Sequence, residues 1–167
     1  MVTIRCTQKL LRRIPPQRTP ESATAPTTLL GDWYANVLFA RPQQLVLCIS
    51  ERTFLSVVVA ASPAVSLASR LAHSLGPVLA SLGVEPQRVV HEQREMESFA
   101  FGRTSNRRVL GTLNELLFQL SWYLHDHPDM PLATASLRLA RTPCSALPGA
   151  FPDRVTSSLF ATRSAPC

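Results

Sequence analysis

Three short apolar segments follow one another between residues 33 and 60, separated only by brief polar turns. In residues 33–39 large apolar side chains alternate between two faces, which is typical of a β-strand. Residues 45–49 return after a turn at Pro42, so the first two segments are predicted to form a hairpin. Residues 54–60 are β-branched and apolar on both faces, as in a central strand. Together they predict an antiparallel meander.

The longest helix is predicted from residue 106 to about residue 126. Asn106 is a favourable N-cap, and apolar residues then recur at helical spacing in a wide stripe. That stripe comprises Val109, Leu110, Leu113, Leu116, Leu117, Leu120, Tyr123 and Leu124. A second apolar helix is predicted after Pro63; Pro77 is expected to kink or split it, and Gly83 to end it.

The remaining elements are shorter. Residues 2–6 and 99–101 alternate like strands, and residues 8–14 form a short amphipathic helix in the prediction. Strands and helices do not alternate regularly along the chain. The sequence therefore predicts an α+β fold, with a mostly antiparallel sheet of about four to five strands and helices packed on one face.

With 167 residues, nearly half of them apolar, the chain is long enough to bury a substantial core. We expect a single α+β domain over residues 1–167. Residues 15–28, PPQRTPESATAPTT, are rich in proline, threonine and serine. That composition predicts an exposed, mobile loop rather than a domain boundary.

The chain carries a net charge of +6, and Lys9 is the only lysine beside sixteen arginines. A basic surface favours anionic partners in general. The arginine-rich, alanine-rich composition is also typical of GC-rich genomes, so it is weak support for nucleic-acid binding. Nucleic acid stays a possible partner on this evidence, whereas no segment is apolar and long enough to indicate a membrane partner.

No motif in the sequence indicates a cofactor or a metal ion. Glycine-rich nucleotide loops, HExxH and GxSxG are absent, and the four cysteines lack zinc-ligand spacing. His125 and His127 are two residues apart, so on a helix they point about 200° from each other. We therefore predict neither a metal site nor a cofactor.

We expect a cytoplasmic protein. The first residues, MVTIRC, lack the apolar stretch of a secretory signal. The dispersed cysteines fit a reducing compartment, and Cys48 within a strand is most simply a small buried apolar residue.

Three segments resemble a family of small, mostly bacterial proteins known as a domain of unknown function. They are IRCTQKLL (4–11), LLGDWYANVLF (29–39) and NRRVLGTLNELLFQL (106–120). The ending RLARTPCSALPGAFPDRV (138–155) is similar more loosely. The long proline-rich loop and the high alanine and arginine content depart from the family pattern. The resemblance implies a shared fold and no particular activity.

The segment FGRTSNRR, at the start of the longest helix, is electrostatically unusual. A helix N-terminus carries partial positive charge, where acids are favourable and arginines are not. The sequence therefore predicts an anion-binding site for a phosphate or carboxylate. Its residues are Arg103, Thr104, Ser105, Asn106, Arg107 and Arg108. Alternatively these arginines are solvated, or one pairs with an internal acid such as Asp32 or Glu51.

A second candidate is a pocket that contains Asp32, Trp33 and Asn114. Asp32 could serve there as a general base, or as an arginine partner beside an aromatic wall. The structural alternative makes Gly31 and Asp32 a turn, Trp33 a core residue and Asn114 a polar residue that needs a hydrogen-bond partner. We favour the structural alternative, with a salt bridge to an arginine as the additional role of Asp32.

Three functions are compatible with these features. We favour a non-enzymatic binding or regulatory module for an anionic ligand or protein partner, since no catalytic constellation is apparent. The second is a nucleic-acid-binding protein, which would use the same arginines and the basic helix near the N-terminus. The third is a hydrolase or transferase with Asp32 as base.

Overall fold

A mixed sheet forms the centre of the computed structural model, which describes residues 1–16 and 25–162. Its strands are β1 (Val2–Cys6), β2 (Trp33–Ala40), β3 (Gln43–Ser50), β4 (Ser56–Ala60) and β5 (Phe99–Arg103). Their order across the sheet is β4-β3-β2-β1-β5. Of the loop predicted to be mobile at 15–28, residues 17–24 lie outside the described residues.

The meander β2-β3-β4 is antiparallel as predicted, but the sheet as a whole is mixed rather than mostly antiparallel. β1 lies between β2 and β5 and is parallel to both. Four strands therefore run in one direction, and only β3 opposes them. The alternation of side chains is the same in parallel and antiparallel strands, so it could not reveal the direction of β1.

Six α-helices accompany the sheet in the described part of the chain. They are α1 (Gln8–Leu11), α2 (Leu67–Ser81), α3 (Pro86–Glu95), α4 (Arg107–Asp126), α5 (Leu132–Ala140) and α6 (Pro152–Thr162). A short 3₁₀ turn, Ala64–Ser66, precedes α2. None of these helices combines the length and apolar content that a membrane span requires.

The α+β class is confirmed, but the helices lie on both faces of the sheet rather than on one. α1, α2, α3 and α6 contribute to a first core with Ile4, Trp33 and Val57, and α4 contributes to a second core with Tyr34 and Leu47. α5 contributes to both cores. The physical reason is that β3 and β4 are apolar on both sides. Their buried residues need cover above and below the sheet.

The prediction for the longest helix is confirmed closely. The Asn106 side chain caps α4 by accepting hydrogen bonds from the backbone N–H groups of Arg108 and Val109, at 3.0 and 3.3 Å. Leu113, Leu116 and other members of its apolar stripe are fully buried against the sheet. α4 packs on β2 and β3, and its start lies beside Tyr34, near the beginning of β2.

Candidate functional site

The segments around β1, β2 and the start of α4 are linked through one tyrosine. The Tyr34 side chain is fully buried on the second face of the sheet. Its hydroxyl lies 3.2 Å from the Ser105 hydroxyl and accepts a hydrogen bond from the Asn106 backbone N–H at 3.2 Å. β2 therefore fixes the position at which α4 begins.

Asp32 has the role expected of a structural residue. Its Oδ1 accepts from the Thr3 backbone N–H at 2.9 Å, and its Oδ2 accepts from Arg5 Nη2 at 2.8 Å and Arg5 Nε at 3.2 Å. The carboxylate is only 5% exposed, whereas the Arg5 side chain is 26% exposed. Gly31, at φ +78°, makes the turn before it. The predicted salt bridge of Asp32 to an arginine is present, with Arg5 as the partner.

A second polar connection joins β1, β2 and α4. The Thr7 hydroxyl donates to Asn36 Oδ1 at 2.8 Å, and Asn36 Nδ2 donates to Asn114 Oδ1 at 3.2 Å. Asn114 thus has the hydrogen-bond partner that its position near the apolar stripe required. Thr7, Asn36 and Asn114 thus form a row of hydrogen-bonded polar side chains beside the second core, which we call the polar seam.

The three residues of the predicted pocket are not brought together. Trp33 is fully buried in the first core, on the face opposite α4. Asn114 is exposed on α4, and Asp32 is buried against β1. The nearest equivalent of the predicted site is the polar seam, whose side chains hold elements of the fold in place.

The six residues predicted to bind an anion are also divided. Arg108 donates to the Ala146 carbonyl oxygen, and its guanidinium carbon lies 5.8 Å from the centre of the Phe54 ring. The Asn106 amide is occupied in capping α4, and Ser105 contacts Tyr34. These three residues serve the fold itself, and they leave less of the predicted site available to a ligand.

Arg103 and Arg107 are different. Both side chains are exposed, and neither forms an ion pair or side-chain hydrogen bond among residues 1–16 and 25–162, which is also true of Arg12, Arg41 and Arg94. Arg103 ends β5 beside Leu11 and Ile14, on the side of the first core. Neither Asp32 nor Glu51 forms a salt bridge with an arginine of the 103–108 segment. We call Arg103 and Arg107 the unpaired arginines.

The solvent-facing side of α4 carries large apolar side chains. Phe118 is 65% exposed and Trp122 is 56% exposed. Their rings make an edge contact at 6.2 Å, and Trp122 makes another with His125 at 6.5 Å. Two exposed aromatics one helical turn apart form an apolar surface patch.

Buried ionisable groups elsewhere have structural surroundings. Glu92 on α3 accepts from the backbone N–H groups of Leu29 and Leu30, each at 2.9 Å, and so positions the residues before Asp32. Burial raises the pKa of Glu92 despite these hydrogen bonds. Burial also raises the pKa of the Cys6 thiol to about 12, so its reactive thiolate is scarce at neutral pH.

The described residues contain no cluster of three or more His, Cys, Asp or Glu side chains that could hold a metal ion. The sequence did not single out Thr7 or Asn36, which are joined by a hydrogen bond in the seam. A signal was present for Asn36. It is an amide within the otherwise apolar segment WYANVLF, on a strand that is largely buried.

A family model described as Domain of unknown function (DUF6933) matches residues 3–155. Comparison with curated proteins and with solved structures gave no significant match. The match includes β1, β2 and the start of α4, which supply the polar seam and the unpaired arginines.

Proposed function

This chain belongs to the DUF6933 family, and we propose that it is a non-enzymatic binding module for an anionic protein partner, which it engages at the start of α4. One observation carries the proposal. Within the described residues neither Asp32 nor Glu51, the acids considered as internal partners, forms a salt bridge with the unpaired arginines, and Asp32 binds Arg5 instead.

Electrostatics supports an anionic partner. The first turn of α4 contains no acidic residue, so Arg107 adds positive charge to the positive pole of the helix. An acidic group from another molecule would remove this repulsion and would form charge-assisted hydrogen bonds with exposed guanidinium groups. The net charge of +6 favours the approach of such a partner.

Binding is favoured over hydrolysis or group transfer because of the state of Asp32. Both of its carboxylate oxygens already accept hydrogen bonds from Thr3 and Arg5, and the side chain is almost fully buried. A general base must reach the proton that it removes. Asp32 is better suited to holding β1 against β2.

Nucleic acid remains the second candidate on account of the basic residues near the N-terminus. Lys9 Nζ and the Arg13 guanidinium lie 4.3 and 4.7 Å from the centre of the Phe39 ring, and Arg13 also donates to Gln44. These cations are already engaged with neighbouring side chains. They are therefore less available to a phosphate backbone than the unpaired arginines are.

For location, we propose the cytoplasm. The three cysteines in the described residues, Cys6, Cys48 and Cys144, are buried and free of disulfides. Free thiols persist most readily in a reducing compartment, which supports this location.

The proposal is tested by titrating the protein with a short polyglutamate peptide, with inorganic phosphate and with duplex DNA at low ionic strength. We expect the peptide to bind the wild type, and the double variant Arg103→Glu/Arg107→Glu to lose that binding. Arg12→Glu/Arg94→Glu, which reverses two other exposed arginines, is the matched control and should retain it.

Equal peptide binding by both double variants would contradict the proposal. Tighter binding of DNA than of peptide, with steep salt dependence, would favour the nucleic-acid alternative. Arg108 is left unchanged in this test because its contacts with Ala146 and Phe54 belong to the fold.

A further inference from the structure

The solvent-facing side of α4 is a continuous stripe that we call the α4 ridge. It comprises Arg107, Gly111, Phe118, Trp122 and Asp126, which recur at intervals of four and seven residues and are all exposed. The polar residues Glu115 and His125 are exposed on the same side. At 100° per residue these positions share one side of the helix, opposite the buried stripe of Leu113, Leu116 and Leu120. A surface helix normally presents polar residues there.

Gly111 creates a notch in this ridge. A Cβ atom at this position would meet nothing within 4 Å, so no contact inside the chain requires a glycine. Its φ is not in the left-handed region either. A glycine within a helix lowers helix stability relative to alanine. Its use here is explained if another molecule places a large side chain against the backbone of α4.

The two ends of the ridge carry charges of the unfavourable sign. Arg107 lies at the positive pole of α4 and Asp126 at its negative pole. Neither residue forms a salt bridge with the rest of the described chain. A second helix of the same sequence, laid antiparallel, would bring Asp126 to Arg107 at both ends and correct both placements at once.

We propose that the α4 ridge pairs with the same ridge of a second copy, in an antiparallel arrangement with two-fold symmetry. Trp122 of each copy sits in the Gly111 notch of the other, and Arg107 of each copy faces Asp126 of the other. Both pairings occur in one register of the two antiparallel helices, because the residue numbers of the two facing positions have the same sum in each pair. This inference rests on the proposed function, because it identifies Asp126 of a second copy as the acidic group that binds Arg107.

Glu115 is exposed on the same side of α4 as the ridge, between Trp122 and Asp126 in angle. In the proposed register it lies opposite Phe118 of the other copy, and its carboxylate accepts a hydrogen bond from the Ser145 hydroxyl of its own chain at 3.1 Å. A ridge about 30 Å long buries less area than a standard stable interface. We therefore expect a dissociation constant on the order of 10–100 µM, which describes a reversible dimer.

The decisive experiment is sedimentation equilibrium at low ionic strength with two single charge variants. Arg107→Asp places acids at both ends of the ridge, and Asp126→Arg places arginines at both ends. Each variant alone should self-associate about tenfold more weakly than the wild type. A mixture of the two should form a heterodimer, because every end contact then joins opposite charges. Glu97→Arg is the matched control and should dimerise like the wild type.

The apolar contact is tested with Trp122→Ala and Gly111→Gln. We expect Trp122→Ala to weaken the dimer about 30-fold, as for an interface residue that dominates binding. Val65→Ala removes an equally exposed apolar side chain elsewhere and should have no effect. Gly111→Gln should fill the notch and weaken the dimer while raising the melting temperature of the monomer, so failure to fold cannot explain that result.

A wild type that stays monomeric at millimolar concentration, or a mixture that does not restore association, overturns the inference. The proposed function is judged separately. Asp126→Arg keeps both unpaired arginines, so it should bind polyglutamate at least as well as the wild type whether or not it dimerises. Loss of peptide binding in this variant would count against the proposed function and not against the dimer.

Discussion

The two helical layers of this protein differ in what their longest helices, α2 and α4, turn toward solvent. On the first face of the sheet, α2 turns small or polar residues such as Ser69, His73 and Ser81 toward solvent. On the second face, α4 turns Phe118 and Trp122 outward. Both helices bury a full apolar stripe against the sheet, so the difference lies only in their solvent sides.

This contrast is the basis of the proposed interaction surface on α4. In the first layer the buried acid Glu92 has its hydrogen bonds met by Leu29 and Leu30. In the second layer two aromatics are exposed, and neither Arg107 nor Asp126 forms a salt bridge within the described chain. Arg94 of the first layer also forms none, so the exposed aromatics are the distinguishing feature. Exposed apolar patches with unmatched charges at their ends are typical of interaction surfaces.

The largest predicted effect concerns the buried apolar sides of α2 and α4, which are alike. Leu75→Ala in α2 and Leu116→Ala in α4 each remove a fully buried leucine. Both should lower the free energy of unfolding by about 2–5 kcal/mol. Urea denaturation followed by circular dichroism measures this. If Leu116→Ala lowers the free energy of unfolding by several kcal/mol less than Leu75→Ala does, the second core is packed more loosely than the first. The two layers would then differ in their buried sides as well as in their solvent-facing sides.

Glu92 provides a smaller effect that depends on pH. Burial raises its pKa in the folded protein, so the folded state binds this proton more tightly than the unfolded state does. The contribution of Glu92 to stability is therefore full below its unfolded pKa of about 4.3 and is lost as pH rises toward the raised folded value.

We expect the free energy of unfolding of the wild type, relative to Glu92→Gln, to fall as pH rises from about 4 to neutrality. Glutamine should also cost about 1–3 kcal/mol, because its single carbonyl oxygen leaves the N–H of Leu29 or Leu30 unpaired. Urea titrations at several pH values test both statements. If the free energy of unfolding of the wild type relative to Glu92→Gln instead rises with pH, then folding lowers the pKa of Glu92 rather than raising it.

The helix starts provide a third comparison. Asn106 caps α4 with two side-chain hydrogen bonds, whereas Ser66 makes no capping hydrogen bond to α2. Asn106→Ala should lower the free energy of unfolding by about 1 kcal/mol through loss of the cap. Ser66→Ala removes no cap, and any loss there comes from the hydrogen bonds of its hydroxyl with Arg70 and Pro63. Thermal denaturation of the two variants checks this. Equal losses would show that the cap does not distinguish the helices.

The smallest predicted effect has opposite signs in the two layers. Gly111→Ala in α4 meets open space and should raise the free energy of unfolding of the monomer by about 0.5–1 kcal/mol. Gly76→Ala in α2 should lower it. Its Cβ would lie 2.7 Å from the Gln93 amide nitrogen, which donates to Ala72, and the residue precedes Pro77. If both substitutions stabilise the protein, the contact with Gln93 does not require a glycine at position 76.

The elements whose signals are local could be predicted from the sequence. The α4 stripe and the β2-β3 hairpin depend on the spacing and the turn residues of one continuous segment, and both are present. The direction of β1 was not predictable, because side chains alternate in the same way in parallel and antiparallel strands. β3 and β4 are apolar on both faces, which indicates that helices or loops pack on both sides of the sheet. The prediction of helices on one face did not take this pattern into account.

The candidate site was predictable only in part, for a similar reason. The unusual charge at the start of α4 is a local feature, and the sequence revealed it. The choice of Arg5 as the partner of Asp32 depends on the register that places Ile4 beside Trp33 across two distant segments. The anchoring of Arg108 depends on Phe54 and Ala146, which are far from it in sequence. Such pairings are set by tertiary packing.

The central claim is that the start of α4 takes its missing acid from another molecule, and that this molecule is a second copy. The most direct test is a series of amide and indole NMR spectra over about a hundredfold range of protein concentration. The account predicts that signals of Gly111 and the Trp122 indole shift with concentration, while the indole of buried Trp33 stays fixed. Spectra that do not change, or shifts confined to α2 and the first layer, would contradict it.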